Sequence, residues 1–277
     1  RREMKASTAV REGEWVEVYP DRVPTVCLER EMIHREGKTW LGIQKPAGLS
    51  VAGTRGQTED TVVPLLEDLL RREGLRRTGE RLQLVHRLDR DTSGVLLLAR
   101  NEQTRRAMEK QFLQRQVKKR YAVLVQGVPE RDRFDRAAPV LPRRPVGGGG
   151  GRRRPDRTVT RKGDREGAGT VTEFQVKERF PEYTLLEARP LSGRTHQIRI
   201  HLEQLGLPVL GDPLYGPRRC TDPLTRAIPR QMLHASLVTF RDPDTNGHAT
   251  LRSPLPEDMQ RVLGRLRELS AGLVGKG

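Results

Sequence analysis

The chain has 277 residues, 52 Lys+Arg against 36 Asp+Glu, a formal net charge of +16, 34% hydrophobic and 4% aromatic residues. That length allows one large domain or two small ones with a real core; apolar runs stop at five residues, as at 95–99, which excludes a membrane-spanning helix. A positive balance spread over the whole body favours a polyanionic partner such as a nucleic-acid backbone, while so few aromatics argue against a dedicated platform for stacking single-stranded bases.

Residues 1–24 are polar, with Trp15, Val16 and Val18 predicting one short strand. They hold no apolar secretory core, so the cytoplasm is the expected location. Cys27 and Cys220 are too few for a disulfide framework or a cysteine zinc site and are expected as free thiols. The stretch 41–51 reads as a strand entering a turn at Pro46-Ala47-Gly48. Residues 61–73 predict a helix: Val62, Leu66, Leu69 and Leu70 share a face, Asp60 or Thr61 caps it and Gly74 stops it. Residues 82–85 and 95–99 read as buried strands flanking a polar segment. A helix is expected over 102–117, capped by Asn101, and a strand over 121–126. The segment 141–168 contains five consecutive glycines and then Arg152, Arg153 and Arg154. Its ordering entropy is too large for it to order alone, so it reads as a flexible basic loop inside a domain. Strands follow at 170–176 and 183–189. A helix is expected over 195–205, with Ile198, Leu202 and Leu205 inward and Gly206 as its stop. After a turn-rich loop at 211–216 come a strand over 234–240 and an amphipathic helix over 258–269, its stripe Met259, Val262, Leu263, Leu266 and Leu269. Dominant strands with scattered helices make the class α+β.

Two polar segments could carry chemistry. In His86-Arg87-Leu88-Asp89-Arg90-Asp91-Thr92-Ser93-Gly94 a carboxylate is flanked by cations, which favours the ionised form that a nucleophile or base requires. A structural salt bridge on a surface turn accounts for the same residues. In Leu191-Ser192-Gly193-Arg194-Thr195-His196-Gln197-Ile198-Arg199-Ile200-His201-Leu202 a helix start near Thr195 offers N–H groups to a phosphate, and His196, Arg199 and Glu203 are spaced to share a face. His196 and His201, five apart, are poorly spaced to chelate one metal, and no metal site is expected. Ser93 and Ser192 lack the Gly-x-Ser-x-Gly elbow of a serine hydrolase.

Taken together, His86-Arg87-Leu88-Asp89-x-x-Thr92-Ser93-Gly94 and Gly193-Arg194-Thr195-His196-Gln197-Ile198-Arg199 resemble motifs of the RluA-type pseudouridine synthases. Lys45-Pro46-Ala47-Gly48, Lys119-Arg120-Tyr121-x-x-x-Val125-x-Gly127, Gly211-Asp212-x-x-Tyr215-Gly216 and Leu233-His234-Ala235 agree and occur in the family's order. The resemblance implies an α+β fold with a central bent, mostly antiparallel sheet, peripheral helices and an active-site cleft. It implies isomerisation of uridine to pseudouridine in RNA, without cofactor or metal.

Carried over, Asp89 matches the catalytic aspartate, Arg194 the arginine paired with it and Tyr121 the tyrosine stacking on the target base. Leu233 matches the apolar wall of that pocket. Arg87, His196 and Arg199 are expected at the substrate, and Lys118 and Lys119 at the RNA; Arg152, Arg153 and Arg154 read either as an RNA-gripping arm or as a solvated insertion that the family does not share. Residues 33–277 are then the catalytic domain, and 1–32 an extension resembling the tail of an alpha-L RNA-binding domain. Frequency within the family favours ribosomal over transfer RNA. No obligate protein partner is implied, and a monomer is the default. The competing reading is a non-catalytic RNA binder or RNA chaperone on the same scaffold, which the net charge alone would also support.

Overall fold

The computed structural model describes residues 28–52, 61–141, 169–216 and 228–274. The expected strand at Trp15, both cysteines and the arginines Arg152, Arg153 and Arg154 lie outside the described residues. In chain order the elements are β1 (Ile33–Glu36), β2 (Trp40–Lys45), α1 (Val62–Arg72), β3 (Gln83–Leu84), β4 (Ser93–Ala99), α2 (Glu102–Leu113) and β5 (Lys118–Gln126). They continue with β6 (Arg133–Ala138), β7 (Thr170–Arg179), β8 (Tyr183–Pro190), α3 (Gln197–Gln204), β9 (Leu233–Arg241), β10 (His248–Arg252) and α4 (Glu257–Val274).

The strands form one sheet in the order β1-β2-β4-β9-β5-β8-β7-β6, with β3 added to β4 and β10 to β9. Every pairing is antiparallel except β4–β9, and that one spans only Ser93↔His234 and Gly94↔Ala235. The sheet is therefore two antiparallel halves joined by a short parallel seam. Gly94 sits at the seam with φ of +116°, and a Cβ there would overlap the Ala235 carbonyl. This explains the glycine that ends the Asp89 motif: no other residue lets the two strands approach so closely.

Each half is covered on both faces. On the first half, α1 buries Val62, Leu66, Leu69 and Leu70 against Leu41, Ile43, Leu96 and Leu98. Met108 of α2 packs with Val95, Leu97 and Phe240 on the reverse. That two-sided cover is why all seven residues of β4 are buried. On the second half, Ile198 and Leu202 of α3 lie on Val123, Leu186 and Leu233, and Met259, Leu263 and Leu266 of α4 pack on Leu124 and Tyr183.

Strands β1, β6 and β10 were not expected, and three helix ends differ from expectation by two residues or more. α2 stops at Leu113 rather than 117, because Arg115 adopts φ of +58° and turns the chain back towards β5. α3 starts at Gln197 rather than 195, because His196, with φ of +57°, precedes it in the left-handed region. α4 runs to Val274, but Leu269, expected to face inward, is 48% exposed; contact of its stripe with the sheet ends at Leu266.

Candidate active site

The loop between β3 and β4 carries Asp89 and is tied down on either side of it. Leu88 is buried with the α1 core, which leaves Arg87 exposed and Asp89 half-buried. His86 accepts a hydrogen bond from the Leu97 backbone (2.9 Å) and stacks on Phe112 at 4.7 Å. Burial, with Lys119 nearby, pushes its pKa down to about 3, so the ring is a neutral structural acceptor. Past Asp89, the Arg90 carbonyl accepts from the Gly48 backbone (3.0 Å) and from Lys45 Nζ (2.9 Å). Lys45 Nζ also donates to the carbonyls of Pro46 (2.7 Å) and Leu49 (2.8 Å). Lys45 is fully buried, and that burial pulls its pKa down to about 7.

Asp89 meets α3 through a chain of charges. Arg199 Nη1 donates to Asp89 Oδ2 at 3.0 Å, while its Nε and Nη2 grip Asp212 at 2.6 and 2.8 Å. One guanidinium thus joins two carboxylates, with its fork on Asp212 and a single donor left for Asp89. Asp212 is in turn oriented by the backbone N–H groups of Leu214 (2.9 Å) and Tyr215 (3.0 Å). His196 Nε2 lies 4.0 Å from Asp89 Oδ2, and its Nδ1 is 3.1 Å from the Tyr215 hydroxyl. Burial, helped by Arg199 and Arg87, lowers the His196 pKa against the pull of Asp89 and Asp212, so the contact is polar rather than ionic at neutral pH. Both contacts of Asp89 fall on Oδ2; among the described residues none falls on Oδ1, and the side chain is 20% exposed.

The wall beside Asp89 belongs to β5 and β9. Tyr121 pairs in register with Ala188 on β8 and Ala235 on β9. Leu233, paired with Val123, lies on the same face two residues along. Tyr121 packs against both the α1 core and the α3 core, at the junction of the two halves. Burial raises its hydroxyl pKa, and the charge of Asp89 raises it further. Lys119 Nζ donates to the Ser192 carbonyl at 2.7 Å, and burial lowers its pKa to about 8. Lys118 is exposed at the start of β5.

The structure therefore brings together Asp89, Tyr121, Leu233, His196 and Arg199. The guanidinium on Asp89 is that of Arg199 and not, as the motif comparison had it, that of Arg194. Arg194 precedes the left-handed turn at His196, and its backbone N–H bonds Gln197 Oε1 at 3.2 Å. Arg199 follows that turn, on the buried side of α3. His201 is far from His196 in role: its ring joins Thr172 Oγ1 (2.9 Å) and the Ala138 carbonyl (3.2 Å) inside the core. Sequence reasoning assigned no role to Asp212, Tyr215 or Lys45, although each stood in a quoted motif. Their signal was a polar residue inside an otherwise turn-forming or apolar string.

A family model described as RNA pseudouridylate synthase matches residues 39–204. RNA pseudouridine synthase YlyB of Bacillus subtilis is 34% identical over 276 residues, 96% of this chain and 84% of that protein. Ribosomal large subunit pseudouridine synthase D of Xanthomonas campestris is 38% identical over 240 residues, 83% of this chain and 68% of that one. Ribosomal large subunit pseudouridine synthase C of Escherichia coli is 33% identical over 268 residues, covering 94% and 76%. Among solved structures, human RNA pseudouridylate synthase domain containing 4 superposes with a TM-score of 0.68 at 26% identity, over 86% of this chain and 93% of that chain.

Proposed function

The chain belongs to the RluA-type RNA pseudouridylate synthase family and is an isomerase acting on RNA, and from that premise we propose that it converts uridines of ribosomal RNA to pseudouridine with Asp89 as the catalytic carboxylate. The observation that carries the assignment is the ion pair of Asp89 Oδ2 with Arg199 at 3.0 Å, with no contact on Oδ1 among the described residues. Arg199 aims the carboxylate, and Asp212 holds Arg199.

The reaction breaks the N1–C1′ bond, turns the uracil and forms a C5–C1′ bond. The C5 hydrogen leaves as a proton and N1 gains one, so the sum is an isomerisation that consumes no second reactant. Asp89 serves either as nucleophile or as base in this sequence. Tyr121 and Leu233 form the surface on which the detached uracil turns without escaping. The target base must leave its stack first, and the exposure of Arg87 beside Asp89 supports its reading as a contact to the RNA. Ribosomal RNA is favoured over transfer RNA because two of the relatives above carry that substrate in their names.

The test is tritium release from C5-labelled ribosomal and transfer RNA. Release from ribosomal RNA by the wild type and not by Asp89→Asn, with RNA affinity kept, is the expected result. Retained activity in Asp89→Asn would sink the assignment of that carboxylate. Release from transfer RNA alone would replace the substrate.

A further inference from the structure

We propose that Arg230, held by Asp258 of α4, is a positioning residue that sets the Asp89 loop against the strand carrying Leu233. This rests on the reading of Asp89 as the catalytic carboxylate. Both residues lie beyond the span matched by the family model.

Arg230 is buried, and its fork is bidentate on Asp258, Nε to Oδ2 at 2.6 Å and Nη2 to Oδ1 at 2.8 Å. The rest of the guanidinium faces both flanks of the pocket. Nη1 donates to the carbonyls of Asp91 (3.2 Å), Gln231 (2.9 Å) and Leu233 (3.4 Å), and Nη2 is 3.5 Å from Ser93 Oγ. Asp91 is two residues past Asp89, and Leu233 is two before Ala235, the register partner of Tyr121.

Neighbouring side chains tighten the same junction. Gln231 Nε2 donates to Thr92 Oγ1 at 2.9 Å, and Ser93 Oγ bonds His234 Nδ1 at 2.9 Å. The other ring nitrogen, Nε2, faces the Ser253 carbonyl at 3.2 Å; it carries the proton, so Nδ1 accepts from Ser93. The loop carrying Asp212 touches Arg230 as well: Gly211, with φ of +69°, lies so close that a Cβ would overlap the Arg230 carbonyl. Three segments that build the pocket thus converge on residue 230.

The seam between β4 and β9 gives a reason for this hub. Their direct pairing spans two residues on each strand, too little backbone bonding to fix the separation of the two halves. Side chains must set it, and a displacement of about 1 Å at a reacting group costs roughly a hundredfold in rate. Arg230 answers that need with a rigid planar fork that lysine cannot reproduce.

The experiment measures the single-turnover rate of tritium release from C5-labelled ribosomal RNA, the RNA Kd and the folded fraction. The variants are Arg230→Ala, Arg230→Lys and Asp258→Asn, with Arg265→Ala on the exposed side of α4 as control. Arg230→Ala should slow turnover about 30-fold or more per folded molecule, with Kd within about twofold of wild type. Arg230→Lys should recover part of the rate by restoring the charge on Asp258, and Asp258→Asn should slow turnover in the same way as Arg230→Ala but less. Unchanged turnover per folded molecule, or rate and affinity falling together, would overturn the proposal. If Arg230→Ala does not fold, Asp258→Asn is judged by the same two criteria. An inactive wild type would overturn the functional reading itself, and an active wild type with fully active variants only the bridge.

Discussion

Asp89, Arg199 and Asp212 form a row of alternating charge, and the middle member is 4% exposed in its side chain. Burying a guanidinium is tolerable only while both carboxylates remain. Asp212→Ala leaves Arg199 with the single donor bond to Asp89. It is expected to destabilise the protein by about 3–5 kcal/mol and to lower turnover, as urea denaturation and tritium release would register. His234 supplies a prediction in pH. Burial holds its pKa down to about 4 against an ordinary 6.5; Arg230 also lowers it, while the Ser253 carbonyl and Asp258 oppose. The unfolded chain takes up that proton near 6.5 and the folded one only near 4. Stability is therefore full above 6.5 and falls as pH drops towards 4, by ~3 kcal/mol for this group. His86, at about 3, acts with the same sign. Urea midpoints at pH 7.5 and 5.0 should differ accordingly, and His234→Gln should flatten the slope.

Among the elements, the seam between β4 and β9 is the most sensitive. Gly94→Ala meets both a φ of +116° and the Ala235 carbonyl. A cost of about 2 kcal/mol or more is expected, with a loss of turnover larger than the loss of RNA binding, because this crossing sets Asp89 against Leu233. Ordinary caps behave more simply. Asn101 Oδ1 accepts from the Thr104 backbone at 2.9 Å, so Asn101→Ala should cost about 1 kcal/mol without touching activity. The α1 face, the Asn101 cap and the buried run of β4 were legible in the sequence, since each rests on local periodicity or a local hydrogen bond. The true start of α3 was not. It depends on a left-handed His196, a residue type without a strong signal for that conformation, held where Gln197 reaches Val171 and Thr172 on β7.

Over the whole molecule, a formal charge of +16 means that RNA binding proceeds largely by counterion release. Log affinity should fall linearly with log salt concentration, by roughly 0.7 for each phosphate contacted on a single strand. On the proposal that Asp89 acts on the nucleoside rather than on the backbone, Asp89→Asn should share the wild-type slope; filter binding across a salt series checks this. An altered slope would place Asp89 within the electrostatic footprint instead. The architecture serves the same division of labour. Two covered half-sheets give rigid walls, and Asp89, Tyr121 and Leu233 lie where they join, so small changes in the separation of the halves reach them directly.

By itself the sequence determined the fold class and the charge that suits a polyanion, while Asp89, Tyr121, Leu233, His196 and Arg199 were singled out only through motifs that resemble a known family. Class and charge follow from local periodicity and composition, whereas spacing and residue type left a salt bridge or a core role open for each of those five residues. Tertiary structure alone decided which arginine reaches Asp89, because Arg194 and Arg199 are five residues apart on opposite sides of one backbone turn. It alone joined Arg230 to Asp258 and Asp91 as well. Those partners come from segments up to 139 residues apart, and the short seam between the half-sheets makes their meeting necessary.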